Sequence, residues 1–244
     1  MCGIVGYTGK QSVAKQILDA LELLEYRGYD SAGMAIVDET NGQVQIRKRA
    51  GRVADLEKVW QANPVNGICG IGHTRWATHG GVSDVNAHPH RAGRVTLVHN
   101  GIIENYEELK DHFGLADELI SDTDSEVVAA VLNRFYTGDP HEALFQTVKC
   151  LKGTFALVVI FDDIPDVIFA IRNVSPIVAA YREDGTMLAS DVAALGGQAT
   201  SYMVVPEYHV VELHTDDIRV YNMKNELCEA EFLDIDWDTT RAGK

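Results

Sequence analysis

The segment MCGIVGYTG sets a cysteine directly behind the initiator methionine. A thiolate is the attacking species, and a free thiol, with a pKa of about 8.5, is mostly protonated at neutral pH. It needs a base. Removal of Met1 would free the α-amine of Cys2, whose ordinary pKa is about 7.7–8.0. Such an amine can take a proton from the thiol or from an attacking water and return it to a leaving amine. Nucleophile and base then sit on one residue. A cysteine by itself is more often a small buried hydrophobe, so the chemistry must be supported from elsewhere in the chain.

Three further stretches carry suitable groups. HTRWATHG spans His73 to Gly80. The planar fork of Arg75 matches the two oxygens of a carboxylate, and Thr78 and His79 can add hydrogen bonds. VHNG spans Val98 to Gly101. A strand ending there presents the Asn100 side-chain amide beside the Gly101 backbone N–H, the pair of donors an oxyanion hole requires, although Asn-Gly is also a frequent turn signal. SDTDSE places Asp122 and Asp124 at a helix start, where either can cap the helix and one can hold a substrate ammonium. Five histidines, His73, His79, His88, His90 and His99, fall in the same region. His88 and His90 flank a proline without helical i,i+4 spacing, and no cysteine or carboxylate lies at a zinc-like spacing nearby. Loop structure or substrate contact therefore ranks above metal binding, and no metal or cofactor is expected.

These groups need a scaffold. Cys2 to Tyr7 reads as a strand. Val13, Ile17, Leu21 and Leu24 recur at helical spacing, predicting a helix over about 12–24. EYRGYDSAG is a loop, and MAIVD, VQIRKRAG and GICGIGHT are strands. The loop from Arg75 to Arg94 is long, and long ordered loops are usually functional. RVTLVHNG is a strand. NYEELKDHF, TDSEVVAAVLNRFYTG and HEALFQTVKCLKG are helices, the second opened by a capping box of Thr123 and Glu126. After Gly153 the pattern turns to short strands. The pattern predicts an α+β fold in which layered sheets pack on each other and are covered by helices.

The 244 residues carry a formal net charge of −15. That balance argues against nucleic acid and anionic membrane surfaces, which need a cationic footprint. No apolar run approaches the roughly 20 residues of a membrane helix, and the segment after Met1 lacks the basic region and long apolar stretch of a signal peptide, so none is expected. The four cysteines, Cys2, Cys69, Cys150 and Cys228, are scattered. Their spacing suggests no disulfide framework and fits a reducing cytoplasm.

Taken in order, MCGIVG, LEYRGYDSAG, GHTRWATHG, NAHPH, HNGIIENY, TDSEV, LKGTFAL and ASD resemble the class II, N-terminal-nucleophile glutamine amidotransferases. The closest pattern is that of the glutaminase half of the glutamine–fructose-6-phosphate aminotransferase (isomerizing), or glucosamine-6-phosphate synthase, family. CGIVG alone is shared more widely; HTRWATHG with NAHPH and HNGIIENY is more specific. The resemblance implies a four-layer αββα sandwich over residues 1–235, with 236–244 beginning a linker to an absent sugar isomerase domain, so that the chain is a fragment or a stand-alone relative. It implies hydrolysis of L-glutamine through a Cys2 γ-glutamyl thioester, with the ammonia serving conversion of fructose 6-phosphate to glucosamine 6-phosphate. Cys2 resembles the nucleophile, and Asn100 and Gly101 the oxyanion hole. Arg75, Thr78, His79 and Asp124 resemble the glutamine-binding residues. Trp76 resembles the gate over the site, and Arg27 lines the nucleophile's pocket. A cytoplasmic, homo-oligomeric full-length enzyme is implied. One departure stands out: RNVSPIVAA, from Arg172, has Val174 where the family usually has a glycine. Rival readings are an amidotransferase domain serving another acceptor and a silent glutamine-sensing domain.

Overall fold

The structure, a computed structural model, describes residues 2–77 and 80–236. The chain begins with β1 (Gly3–Gly9), α1 (Ala14–Leu23), β2 (Ser31–Val37), β3 (Val44–Ala50), α2 (Val53–Ala62) and β4 (Cys69–Arg75). Next come β5 (His90–Ala92), β6 (Val95–Ile103), α3 (Tyr106–Phe113), α4 (Asp124–Phe135) and α5 (Pro140–Cys150). Strands then follow as β7 (Gly153–Phe161), β8 (Ile164–Asn173), β9 (Val178–Arg182), β10 (Gly185–Ala189) and β11 (Ser201–Val204). The last are β12 (Val210–His214), β13 (Asp217–Tyr221), β14 (Leu227–Cys228) and β15 (Leu233–Asp234).

They form two antiparallel sheets, in the orders β15-β11-β9-β10-β1-β4-β2-β3 and β14-β13-β12-β8-β7-β6-β5. Strand β7 shows why its sequence is apolar throughout. Phe155, Leu157, Val159 and Phe161 point into the core beneath α3, α4 and α5. Ala156, Val158 and Ile160 point into the core between the sheets. A strand buried on both faces reads as a continuous apolar run, and each large side chain so buried contributes about 1.5–3 kcal/mol. Strand β1 does the same: Ile4 faces the other sheet, while Val5 and Tyr7 pack under α1 and α2. The layers are thus helix, sheet, sheet, helix, the expected α+β sandwich.

This architecture holds the chain's beginning in place. Strand β1 is flanked by β4 and β10, pairing Gly3 with Thr74 and Val5 with Ala189. Ile4 donates its N–H to Ser190 Oγ at 3.0 Å, and its carbonyl accepts the Ser190 N–H at 3.0 Å. A terminus in mid-sheet does not fray as free ends do.

Details differ from the sequence reading. Helix α1 is shorter than the apolar spacing suggests, since Val13 and Leu24 are its flanking residues. Helix α2 was not anticipated; it buries only Val53 and Leu56 inside a charge-rich segment. At α4, Thr123 does cap the helix, accepting from the Glu126 N–H at 3.3 Å. The Glu126 carboxylate, however, accepts from the N–H groups of Ile120 and Ser121 rather than returning to Thr123. It pins the loop before the helix instead of closing a box.

Candidate active site

Cys2 lies where two hollows meet. One is lined by Cys2, Arg75, Trp76, Gly101 and Asp124, with His88, His99, Thr123 and Ser125. The other is lined by Cys2, Arg27, Trp76, Asn100 and Gly101, with Ile102, Thr154, Ser175 and Pro176. The fold therefore gathers seven of the sequence-derived residues, Cys2, Arg27, Arg75, Trp76, Asn100, Gly101 and Asp124, from five separate segments. Thr78 and His79 lie outside the described residues.

The sulfur is held at the end of β4. The Trp76 N–H donates to Cys2 Sγ at 3.2 Å. That peptide is itself fixed by the EYRGYDSAG loop. The Asp30 N–H donates to the Arg75 carbonyl at 3.0 Å, and Asp30 Oδ2 accepts the Ala77 N–H at 2.9 Å. A Cβ on Gly28 would lie 2.8 Å from the Trp76 nitrogen, so only glycine lets the loop pack this close. Burial pushes the Cys2 thiol up from its ordinary value, outweighing the opposing pull of the Trp76 N–H and of the Arg75 and Arg27 guanidiniums. The resting sulfur is therefore a thiol at neutral pH and needs a base.

The Cys2 carbonyl accepts from Arg27 Nε and from Asn100 Nδ2, each at 3.2 Å. Arg27 is anchored in turn by Asp191, at 2.8 Å. Asp191 is part of the ASD motif and caps the short turn that follows it, accepting the Ala193 N–H at 2.9 Å. Gly101 has φ 132°, and a Cβ there would lie 2.0 Å from the Thr154 carbonyl oxygen. The Asn-Gly pair is not a hairpin turn; it lies within β6, opposite Ala156 and Phe155.

Arg75, which also lines the first hollow, is buried and gives its two terminal nitrogens to the carbonyls of Gly81 and Gly80, at 3.1 and 3.2 Å. Asp124 and Asp30 supply the negative charge around it. Asp124 opens α4, and its carboxylate accepts from the Ile103 N–H at 2.9 Å and the Ser125 hydroxyl at 3.2 Å. Thr123 does the capping, which leaves the Asp124 carboxylate to line the hollow. Asp122 points elsewhere, to Asn86. A guanidinium, a carboxylate and a thiol lining one hollow suit a zwitterionic ligand with an electrophilic group.

Sequence reasoning passed over the support behind these groups. His73, His88, His90 and His99 are buried together, and His73 stacks on His88 with ring centres 4.0 Å apart. Burial holds all four below the usual histidine range, His73 at about 3. His99 Nδ1 lies 2.9 Å from Ser125 Oγ, which in turn bonds Asp124. The clustering of histidines in the sequence was the available signal; their partners lie on other strands.

The model of a family described as "Glutamine amidotransferase domain" matches residues 37–243. Among curated proteins, the glutamine–fructose-6-phosphate aminotransferase [isomerizing] of Clostridium acetobutylicum is 39% identical over 247 residues, covering 100% of this chain and 40% of that protein. Its namesake from Streptomyces coelicolor is 43% identical over 250 residues, with the same coverage. The chain thus spans about 40% of the length of the curated relatives it matches. Among solved structures, the glutamine phosphoribosylpyrophosphate amidotransferase of B. subtilis superposes with a TM-score of 0.77 at 21% identity, over 93% of this chain and 50% of that one. A glutamine aminotransferase class-II domain protein from Silicibacter pomeroyi gives 0.65 at 18% identity, over 91% and 99%. These two likenesses concern the fold.

Proposed function

The chain belongs to the glutamine amidotransferase domain family, and on that premise we propose that it hydrolyses L-glutamine to glutamate and ammonia at Cys2. The observation that carries this reading is that Cys2, Arg75 and Asp124 line one and the same hollow. Glutamine is a zwitterion with an amide at its far end. Arg75 takes its α-carboxylate and Asp124 its α-ammonium, with Thr78 and His79 assisting. The side-chain amide then lies against Sγ.

The α-amine of Cys2, once Met1 is removed, takes the thiol proton. The thiolate attacks the amide carbon, and the oxygen becomes an oxyanion stabilised by Asn100 Nδ2 and the Gly101 N–H. The amine passes its proton to the departing nitrogen, ammonia leaves, and a γ-glutamyl thioester remains. Water, deprotonated by the same amine, hydrolyses the thioester and restores the thiol. Trp76 covers the sulfur, and Arg27 holds the carbonyl of the nucleophilic residue.

Residues 1–235 form the amidotransferase domain in this reading, and 236–244 begin a linker. In the whole protein the ammonia is consumed by a sugar isomerase domain that converts fructose 6-phosphate to glucosamine 6-phosphate. Support comes from the names of the relatives and from the length by which they exceed this chain. Among the described residues no helix is long and apolar enough to cross a membrane.

The deciding measurement is glutamate and ammonia release from glutamine by protein whose chain starts at Cys2. Activity that vanishes in Cys2→Ala is expected. Undiminished release by that variant would remove Cys2 from the chemistry.

A further inference from the structure

We propose that His73 is a positioning residue: it sets the orientation of the Asn100 amide, turning Nδ2 toward the reacting centre. The inference rests on the reading of Asn100 as an oxyanion donor.

His73 Nε2 lies 3.1 Å from the His99 carbonyl oxygen and 3.0 Å from Asn100 Oδ1. A carbonyl oxygen can only accept, so Nε2 carries the ring proton. That N–H faces the Asn100 amide, and only the oxygen end of the amide can meet it. The nitrogen end is thereby directed to the other side, where it donates to the Cys2 carbonyl at 3.2 Å. Flipping the amide would set NH₂ against N–H at one end and oxygen against oxygen at the other. Each mismatch forfeits a hydrogen bond and leaves polar groups unpaired.

The ring that imposes this choice is itself immobile. His73 is 1% exposed, in β4 beside β1, with Ile4 as its register partner. It stacks on His88 at an interplanar angle of 11°. His88 Nδ1 accepts the His99 N–H at 3.2 Å, which ties the stacked ring to the residue preceding Asn100. Burial keeps His73 neutral, so the donor is present on a single nitrogen across the working pH range.

The cost of this arrangement argues for its use. His73 Nδ1 is buried with no hydrogen-bond partner among the described residues. An unpartnered buried polar atom is uncommon and calls for a reason. A purely packing position would be filled more cheaply by Leu or Phe, whereas a donor at Nε2 requires a ring nitrogen or its equivalent.

The test compares His73→Gln with His73→Asn in protein beginning at Cys2. The two variants carry the same amide and differ in reach. Glutamine places a donor near the Nε2 position; asparagine stops near Nδ1, short of Asn100. His73→Gln is expected to keep kcat for glutamine hydrolysis within about threefold. His73→Asn is expected to lower it by about 10- to 100-fold, somewhat less than removal of an oxyanion donor outright, with KM changed by less than about threefold. In an Asn100→Ala background, both substitutions are expected to have little further effect on kcat. Equal kcat for the two single variants, or an undiminished His73→Asn effect without Asn100, would overturn the positioning role. If Asn100→Ala itself keeps full kcat, the oxyanion reading falls, and the role of His73 with it. A stable fold is checked for each variant by its urea midpoint.

Discussion

Arg27 donates its Nε–H to the carbonyl oxygen of Cys2 at 3.2 Å while its terminal nitrogen pairs with Asp191 at 2.8 Å. A residue near the start of the chain is thus held by one from the loop after α1, and that residue by one from the ASD motif. The Arg27 side chain is only 9% exposed, so the pair is screened weakly by solvent. A lysine there keeps the charge but loses the fork that reaches both partners at once. Arg27→Lys is expected to lower kcat for glutamine hydrolysis by about tenfold through misplacement of Cys2, with KM little changed. Steady-state kinetics with ammonia detection reads this directly; an unaltered kcat would assign Arg27 to packing alone.

The thiol of Cys2 is raised by burial despite two neighbouring guanidiniums. Without a local base it stays protonated at neutral pH. An amine buried in a peptide bond cannot serve. Protein retaining Met1 is therefore expected to show glutaminase activity lower by at least about 100-fold. A cleavable leader that exposes Cys2 on digestion makes the comparison on one preparation, with mass analysis reporting the processed fraction. Activity that does not follow that fraction would show that the base lies elsewhere.

The sheet sandwich was legible in the sequence because strands buried on both faces, such as β7, leave uninterrupted apolar runs. The candidate site was legible only in its motifs taken together, since Cys2 alone reads as a buried hydrophobe and Asn100-Gly101 as a turn; the fold does bring Arg75 and Asn100 to hollows that Cys2 lines. What was not legible lies in contacts between distant segments. Nothing near His73 in the sequence indicates that its ring meets Asn100, and nothing near Arg27 indicates Asp191. Helix α2 was missed although Val53, Leu56 and Trp60 recur at i, i+3 and i+7 and face one core, the spacing of an amphipathic helix. Contacts also decide Glu126: its spacing from Thr123 fits a capping box, yet its carboxylate finds closer donors at Ile120 and Ser121.

Val174 has φ 66°, a conformation costly for a β-branched residue. This is the position where the family resemblance led us to expect glycine, and the backbone adopts the conformation glycine favours. Its side chain is 61% exposed, so little burial offsets the strain. Val174→Gly is expected to stabilise the fold by about 1 kcal/mol after the entropy of glycine is deducted. In a chain of this size that raises Tm by about 2–4 °C. A lower Tm in a calorimetric scan would show that the valine side chain makes up for its backbone.

Acid should unfold this protein through its buried histidines. Burial depresses His73, His88, His90 and His99. The stability each contributes by staying neutral is complete above its unfolded pKa of about 6.5 and is lost as pH falls toward the folded value. His141 works in the opposite direction. Burial opposes its charge, but the bonds to Glu212 at 2.8 Å and to Asn225 outweigh it and raise the folded value. Its contribution is complete below about 6.5 and is lost as pH rises through that raised value. Glu212 is lowered because bonds to His141 and His214 outweigh its burial, so its share fades only as pH falls below about 4.3. Four depressed histidines oppose one raised one, and the net effect is a loss of stability from about pH 6.5 downward. His90→Gln removes one of the protons taken up on unfolding. Near pH 5 it is expected to flatten the dependence of unfolding free energy on pH by about 1.4 kcal/mol per unit. Urea denaturation from pH 7.5 to 4.5 measures that slope, and equal slopes for the variant and the parent would place the acid sensitivity outside this cluster.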